Sequence, residues 1–298
     1  MVHGARRNVA LATRWVVLHG VTAQGGAPLD STRTDAQGRF VFRIAPVDTT
    51  TVYLTSTEWH GIGYFSAPTR FVGRRAADTL PPIEVYDTTS AGPRPRLLRR
   101  LVSLARLGES GDPSWDVLDV SQIENTGTAT LVAPDSLHPT WGLALPRQAI
   151  QLQAGEGDVS PAAIRRQGDS LVVLGAVAPG APRQVGAVYK LPGGITTVDL
   201  RIDQTVGQLE LMVEGEGVGA RAPGLEALGV EDVEGRHFAR FRASPLEAGA
   251  TVTIVLPRAP LGPQALVPVI VGIAALALAG GLWFAFRRRP VAGAGTVH

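Results

Sequence analysis

Six histidines are the side chains in this sequence best suited to hold a metal ion or to transfer a proton. They are His3, His19, His60, His138, His237 and His298. Local zinc motifs place two histidines at HxH, HExxH or HxxxH spacing, so that both rings reach one ion. None of these spacings occurs, and the chain has no cysteine to supply a thiolate ligand, a disulfide or a nucleophile. The sequence therefore predicts no metal site.

Two groups of carboxylates come next, because paired carboxylates can perform acid–base chemistry or bind calcium. Neither group follows the D-x-D-x-D-G pattern of a calcium loop. Charged residues in the loops of β proteins usually only contact solvent, and we favour that interpretation for both groups. The groups are Asp112, Asp116 and Asp119, and then Glu226, Glu231, Asp232 and Glu234.

Two glycine-rich segments fail as enzyme motifs. Residues 108–111 (GESG) lack the G-x-S-x-G spacing of a serine hydrolase. Residues 215–219 (GEGVG) follow no strand–helix–strand pattern and carry glutamate where a phosphate would approach, so a flexible turn is predicted. We therefore expect a chain that is not an enzyme and that uses no cofactor.

An aromatic stretch at residues 59–65 (WHGIGYF) offers the best ligand or partner face, formed by Trp59, His60 and Tyr64. Aromatic rings can stack on sugar rings or anchor a protein partner. The alternative is that the rings belong to the core, which is favoured for Tyr64 and open for Trp59. Glycan binding predicts that Trp59 is exposed, and the structural alternative predicts that it is packed.

Strands, rather than helices, are predicted to position these residues. The chain has 35 glycines and 22 prolines, and turn-forming segments separate short apolar runs. Residues 97–107 fit a helical stripe as well as a strand face, and strand is favoured because later segments predict strands. The predicted runs are residues 14–19, 51–55, 83–86, 97–107, 117–123, 128–132, 171–177, 185–191, 196–202, 208–213, 237–241 and 251–256.

Two turns are also predicted. Asp35-Ala36-Gln37-Gly38 should reverse the chain before a strand in which Phe40, Phe42 and Ile44 share one face. Residues 125–127 (NTG) should join residues 117–123 and 128–132 in a hairpin.

The segment at residues 265–286 contains no charged residue and is followed directly by Arg287, Arg288 and Arg289. As an α-helix it would span roughly 33 Å, enough for a hydrocarbon core of about 30 Å. The arginines predict a cytoplasmic C-terminus, and Trp283 and Phe286 lie where an interfacial aromatic belt would contact lipid. The sequence thus predicts one transmembrane helix in the cytoplasmic membrane, with most of the chain outside and a short tail at residues 287–298 inside.

The charge balance gives little support to nucleic-acid binding. The formal net charge is only +2, and three positive charges belong to the cluster after the apolar segment. A basic stripe with interleaved aromatic residues is missing from the sequence. Partners are therefore expected to be membrane lipid and an unknown envelope protein or glycan.

Residues 34–42 (TDAQGRFVF) resemble the turn-and-strand signature of carboxypeptidase regulatory-like domains, and Tyr64-Phe65 with Val85-Tyr86-Asp87 resemble the closing half of bacterial versions. The resemblance covers roughly residues 8–88. It implies a small, non-catalytic, transthyretin-like β-sandwich, and therefore transfers no catalytic residue. The Gly-x-Val opening strand of that family has no counterpart before Val9, so we expect a domain without its first strand and a natural start, with an export signal, upstream of Met1.

The expected fold is mostly β, with two or three tandem β-sandwich domains before the transmembrane helix. The expected function is non-enzymatic: an envelope protein that presents these domains for structural or partner-binding work, or alternatively a carbohydrate-binding surface module. The expected boundaries are 1–88 for the regulatory-like domain, 89–96 for a linker, 97–183 for a second and 184–260 for a third, membrane-proximal β domain, and 265–286 for the helix.

Overall fold

A computed structural model describes residues 2–4, 9–43, 50–71, 78–106 and 113–257. Within them the chain forms 22 strands and one short 3-10 helix at Pro161–Ala163, so the prediction of a mostly β fold is confirmed. The predicted transmembrane segment, with Trp283, Phe286 and Arg287–Arg289, lies outside the described residues. Among the described residues, no helix is long and apolar enough to cross a membrane.

The first eleven strands are β1 (Val2–Gly4), β2 (Val9–Ala10), β3 (Trp15–Thr22), β4 (Gly25–Arg33), β5 (Val52–Trp59), β6 (Ile62–Phe65), β7 (Ile83–Val85), β8 (Thr88–Thr89), β9 (Arg96–Ala105), β10 (Trp115–Glu124) and β11 (Thr130–Leu131). The remaining eleven are β12 (Trp141–Ala144), β13 (Ile150–Ala154), β14 (Ile164–Gln167), β15 (Ser170–Val173), β16 (Arg183–Leu191), β17 (Thr197–Arg201), β18 (Val206–Glu214), β19 (Gly219–Arg221), β20 (Glu226–Val233), β21 (Arg236–Ala243) and β22 (Thr251–Val255).

The chain divides into two compact units that do not follow its linear order. Unit 1 contains residues 1–95, 124–140 and 174–181. Unit 2 contains residues 96–123, 141–173 and 182–298. Two segments of unit 1 are therefore supplied from within the sequence of unit 2.

Unit 1 is built on a four-stranded sheet in the order β4-β3-β5-β6. Successive side chains of a strand point to opposite faces. Val16 and Leu18 of β3 are accordingly buried at 0% and 1% exposure, while Trp15 remains 56% exposed. Val16 packs in one core cluster with Tyr64 and with Ile83 and Val85 of β7. Leu18 packs in a second cluster with Tyr53. The predicted strand at residues 14–19 is confirmed.

The predicted strand after the Asp35–Gly38 turn is wrong, although the turn itself is present. Gly38 has φ +70° and its amide donates to the Asp35 carbonyl, while the Asp35 carboxylate accepts from the amide and the guanidinium of Arg39. Residues 39–43 then pair with no strand. The rings of Phe40 and Phe42 instead lie edge to face with each other, 5.7 Å apart, and both pack against the core. Ile44 lies outside the described residues.

The predicted hairpin of residues 117–123 and 128–132 is also wrong. β10 pairs antiparallel with β16, and β11 pairs in parallel with β8. Asn125 causes the separation, because its buried amide donates to the carbonyls of Ala129 and Val177 and accepts from the Gly127 amide. These bonds direct the chain away from β10 into unit 1.

The predicted linker at residues 89–96 is shorter in the structure, since β8 includes Thr89 and β9 begins at Arg96.

Unit 2 is built on a seven-stranded sheet in the order β13-β16-β10-β9-β18-β21-β20. Its strands come from both of the domains predicted at residues 97–183 and 184–260, so that division needs correction. β9 pairs in parallel with β18, and β10 pairs antiparallel with β16 along nine residue pairs. The predicted strands at residues 97–107, 185–191, 208–213 and 237–241 all lie in this sheet.

Two three-stranded sheets, β12-β15-β14 and β17-β22-β19, complete unit 2. They contain the predicted strands at residues 196–202 and 251–256, whereas the strand predicted at residues 171–177 ends at Val173 of β15, and residues 174–177 belong to unit 1. Gln204 connects them, since its amide oxygen accepts from Trp141 Nε1 and its amide nitrogen donates to the Gly142 carbonyl. Arg100 of the large sheet reaches the Ala144 carbonyl at 3.4 Å. Trp141 and Leu143 are buried at 2% and 3% exposure.

Three of the four edge strands in the two larger sheets carry a register irregularity. In β4 the shift lies opposite Leu18–His19 of β3. In β13 it lies between Ile150 and Gln153, and in β20 between Ala227 and Gly229. An irregular edge presents a poor template to another chain, which is how natural sheets limit edge-to-edge association.

Candidate functional site

The three aromatic residues singled out in the sequence lie on the β5–β6 hairpin, where Trp59 pairs with Ile62. His60 and Gly61 form its turn with φ of +52° and +74°. Both strands belong to the four-stranded sheet of unit 1, so the hairpin turn lies at one end of that sheet. Trp59 and His60 therefore lie together at the sheet end.

Tyr64 is part of the core. It is 4% exposed, and its hydroxyl bonds to Thr130 Oγ1 at 2.8 Å and to the Tyr86 carbonyl at 3.2 Å. Tyr86 in turn donates to the Glu84 carboxylate, and burial together with this bond raises the pKa of Tyr86 to about 12. Tyr64 is thus enclosed, unlike Trp59 and His60, and offers little surface to a ligand.

Trp59 is half-buried and fixed by its neighbours. The Arg14 guanidinium lies 4.6 Å from the centre of its ring, in cation–π geometry. The His60 ring meets it edge to face at 4.6 Å, and part of the Trp59 side chain packs against the core cluster that contains Tyr64. Trp59 is neither fully packed nor open on a flat face, so its position lies between the two sequence-based alternatives.

Thr34 holds Arg14 in place. The buried Thr34 hydroxyl donates to the Leu11 carbonyl at 2.7 Å and accepts from the Arg14 amide at 2.9 Å. The Thr34 amide donates to the Arg14 carbonyl, and the Thr13 amide donates to the Thr34 carbonyl. Thr13 has φ +59°, which is unusual for a β-branched residue and persists only where surrounding bonds enforce it.

A second arginine–tryptophan stack, missed by the sequence analysis, lies at the same end of the sheet. Arg33 of β4 is the direct cross-strand partner of Trp15 of β3, and its guanidinium lies 4.6 Å from the Trp15 ring centre. Sequence alone could identify Trp15 as an outward residue of the strand at 14–19. The partner depends on the pairing register of β4, which the sequence analysis did not predict as a strand.

The first carboxylate group does not form a catalytic pair among the described residues. Asp116 and Asp119 point to opposite faces of β10, and Asp112 lies outside the described residues. Asp116 forms an ion pair with Lys190 at 3.5 Å. Asp119 is 2% exposed and forms a bidentate pair with Arg100, with Oδ2 to Nη2 at 2.6 Å.

The Arg100–Asp119 pair is a structural ion pair inside unit 2. Burial lowers the pKa of Arg100, but the Asp119 charge more than compensates, so that the pKa is raised and the guanidinium stays charged. Burial and the Asp119 charge raise the pKa of Tyr189 well above its ordinary value, which keeps this neighbouring phenol neutral. Such a fully enclosed cluster offers no access to a substrate.

The second carboxylate group lies on the β20–β21 hairpin. Glu231 pairs with Arg240, and Asp232 lies 3.3 Å from His237. In the part of the chain that the structure describes, there is no group of three or more residues that could hold a metal ion. Residues 215–219 connect β18 to β19 as a turn, with Gly215 and Gly217 at positive φ. Residues 108–111 lie outside the described residues.

Comparisons with known proteins add little to this geometry. No protein-family model and no curated protein matches the chain. Three solved structures of an M1 zinc metallopeptidase from Deinococcus radiodurans align with it: a mutant bound to a Tyr-ser-ala substrate, at 9% identity and TM-score 0.35, the same mutant alone, at 10% and 0.35, and the enzyme without the mutation, at 10% and 0.33.

The alignments cover 54% to 57% of this chain and 42% to 46% of the peptidase chains. The chain therefore spans less than half the length of those structures. A TM-score this low does not establish a shared fold.

Proposed function

We propose that this chain is a non-enzymatic, single-span envelope protein that presents β-sandwich units outside the cytoplasmic membrane for structural or partner-binding work. The observation that carries the proposal is the uncharged segment at residues 265–286, followed at once by Arg287, Arg288 and Arg289. An apolar segment of this length fits a bilayer core, and the arginines assign its C-terminal side to the cytoplasm.

Two features support the assignment of the described residues to structural or binding work. Asp119, a sequence-based candidate for acid–base chemistry, is enclosed with Arg100, and Asp116 pairs with Lys190. In unit 1, the Asp35–Gly38 turn and the inward Phe40 and Phe42 fit the resemblance to a carboxypeptidase regulatory-like domain. We propose that unit 1 is such a domain, completed by segments from later in the chain.

Reporter fusions test the membrane proposal. A reporter fused after His298 should be active only if it works in the cytoplasm, and the full chain should remain in the membrane fraction after alkaline carbonate washing. The matched control is a variant in which two central leucines of the segment, Leu276 and Leu278, are replaced by arginine. Insertion of two central arginines costs about 5–7 kcal/mol, so the variant should lose membrane retention. A reporter after His298 that is active only outside the cytoplasm would overturn the topology.

Glycan binding is the second candidate function. It is favoured by the two arginine–tryptophan stacks at one end of the unit 1 sheet, where Trp15 is 56% exposed and His60 is exposed. Retention of the full chain on immobilised polysaccharide, with loss of retention in Trp15→Ala, tests it. Equal retention of the variant and the unchanged chain would assign binding to another surface.

A further inference from the structure

We propose that the two arginine–tryptophan stacks of unit 1 form a binding site for an acidic polysaccharide. The guanidinium groups of Arg14 and Arg33 would bind carboxylates on sugar rings that lie against Trp59 and Trp15. The inference rests on the second proposed function and specifies the class of glycan.

The two stacks carry positive charge that no carboxylate among the described residues neutralises. Neither Arg14 nor Arg33 has an ion-pair or hydrogen-bond partner for its guanidinium among the described residues, although both side chains are exposed. The nearby Arg39 differs, because the Asp35 carboxylate binds it at 2.9 Å. A guanidinium stacked on an indole through its face keeps its N–H edge free, and that edge matches a carboxylate in bidentate geometry.

These charges lie beside large aromatic surfaces. More than half of the Trp15 side chain remains open beside Arg33. Trp59 is held by Arg14, by His60 and by the core, so its exposed part needs little further ordering on binding. Rigid aromatic side chains give contact area at a low cost in conformational entropy. Simple anion sites do not require such surfaces, whereas ring-shaped ligands use them.

The placement of the two stacks suits an extended ligand. Both lie at the end of the sheet where β3 and the β5–β6 hairpin meet, as the pairs Val16–Thr57 and Trp15–Arg33 show. Alternation along the strands places Trp15 on the outer face and Trp59 on the face that includes buried Thr57. A small anion contacts one face only. A polymer with repeated carboxylates can pass over the sheet end and reach both guanidinium groups.

The Arg14 stack is preorganised. Thr13, beside Arg14, adopts φ +59°, whereas the φ of +52° at His60 belongs to the β5–β6 hairpin turn. Non-glycine residues in that conformation cost stability, and they cluster at sites where a ligand is held. The four hydrogen bonds between Thr34 and residues 11–14 enforce the conformation at Thr13 before any ligand binds.

Glu58 provides an internal check. It is exposed, follows Thr57 on β5 and points to the same face as Trp15. It forms no ion pair with either arginine among the described residues. A carboxylate there repels a polyanion, so Glu58→Gln should tighten binding rather than weaken it.

The experiment uses the full chain in detergent micelles and titrates it with polygalacturonate. The fully methyl-esterified polymer has the same backbone without charge, and polyglutamate has the charge without sugar rings. We expect the binding constant for polygalacturonate to exceed those for both other polymers by about tenfold or more, and to fall as salt is added. The double variant Arg14→Gln, Arg33→Gln should lose about tenfold in affinity, and Glu58→Gln should gain about twofold.

The matched control is Arg165→Gln, which removes one exposed arginine of β14 in unit 2 and should leave affinity within about twofold of the unchanged chain. Circular dichroism verifies that each variant is folded. Unchanged affinity of the folded double variant would overturn the site. Equal binding of polyglutamate would overturn the glycan as the ligand and favour an acidic peptide in its place. Equal binding of the esterified polymer would retain glycan binding and overturn its acidic character. If no polymer binds, both the site and the glycan function are overturned, while the membrane proposal is decided separately by the reporter fusions.

Discussion

In unit 1, Arg14 and Arg33 lie on tryptophan rings without a carboxylate partner among the described residues, whereas Arg100, Arg236 and Arg240 of unit 2 each hold a carboxylate. For Arg100 the difference follows from burial. The Arg100 side chain is fully enclosed, and a charge without a partner there would cost several kcal/mol. Exposed guanidinium groups can keep water as their partner and remain available to a ligand.

The two regions therefore use one residue type for two purposes. In unit 2 the arginine–carboxylate pairs connect strands, and their removal should reduce stability. In unit 1 the stacked arginines cover tryptophans, and their removal should affect binding far more than stability. Separate measurements of the free energy of unfolding and of ligand affinity distinguish the two uses.

The largest loss is expected for Asp119→Asn. The substitution keeps the shape of the side chain but leaves the buried Arg100 without a compensating charge, which should destabilise the chain by about 3–5 kcal/mol. Urea unfolding followed by circular dichroism measures the change. The control is Asp116→Asn on the same strand, whose partner Lys190 is partly exposed, and which should cost less than about 1 kcal/mol. Equal losses in the two variants would mean that burial does not distinguish these pairs.

A smaller loss is expected for Glu214→Gln. Glu214 accepts from the Arg236 guanidinium and from the Arg106 amide at 2.8 Å, and Arg236 also donates to the Arg106 carbonyl. Loss of the charge in this half-buried network should cost about 1–3 kcal/mol, measured by the same unfolding experiment. Glu247→Gln, at an exposed carboxylate bonded to Thr205, is the control and should have almost no effect. A loss of stability no greater than that of Glu247→Gln would show that this network does not stabilise the fold.

Thr34→Val tests the support of the unit 1 site. It removes the hydroxyl that connects Leu11 and Arg14, and we expect a loss of about 1–2 kcal/mol in stability. Tryptophan fluorescence should change as well, because Arg14 is no longer held over Trp59. Thr32→Val removes the hydroxyl of a half-buried threonine two residues earlier, in β4, and should leave the fluorescence unchanged. The same fluorescence shift in both variants would contradict the role of Thr34.

The smallest loss of stability is expected for Arg14→Gln and Arg33→Gln. Each removes one exposed cation–π contact, which is worth about 0.5–1 kcal/mol, and neither leaves a buried charge unpaired. The midpoint of urea unfolding should shift only slightly. A loss as large as that of Asp119→Asn would show that these arginines are structural, and the contrast between the two units would fail.

The sequence predicted strands where alternation or an apolar run marks a buried face, as at residues 14–19 and 208–213. It missed β20, which is exposed along nearly its whole length and interrupted by an irregularity at Gly229. It also divided unit 2 in two, because the pairing of β9 with β18 joins residues about a hundred positions apart and has no local signal. Long-range pairing, rather than local pattern, sets these boundaries.

For the site, the aromatic stretch correctly drew attention to Trp59 and His60, which lie together on the hairpin turn. It also included Tyr64, whose inward direction depends on the alternation of β6 after the turn. No sequence motif connects Arg14 and Trp15 with Arg33. Their association arises from the register of β3 with β4 and β5, so only the folded sheet identifies them.

The division of unit 1 among three chain segments has a consequence for synthesis. Ala178 lies in the core cluster of Val16, Tyr64, Ile83 and Val85, and Leu131 and Val177 pair through their backbones. Residues 1–95 cannot complete this core by themselves when they leave the ribosome. At about 5–20 residues per second, the segment that ends at residue 181 follows residue 95 after roughly 4–17 s. During that interval the nascent chain exposes an unfinished apolar surface, which gives a chaperone or an export factor a period in which to bind it.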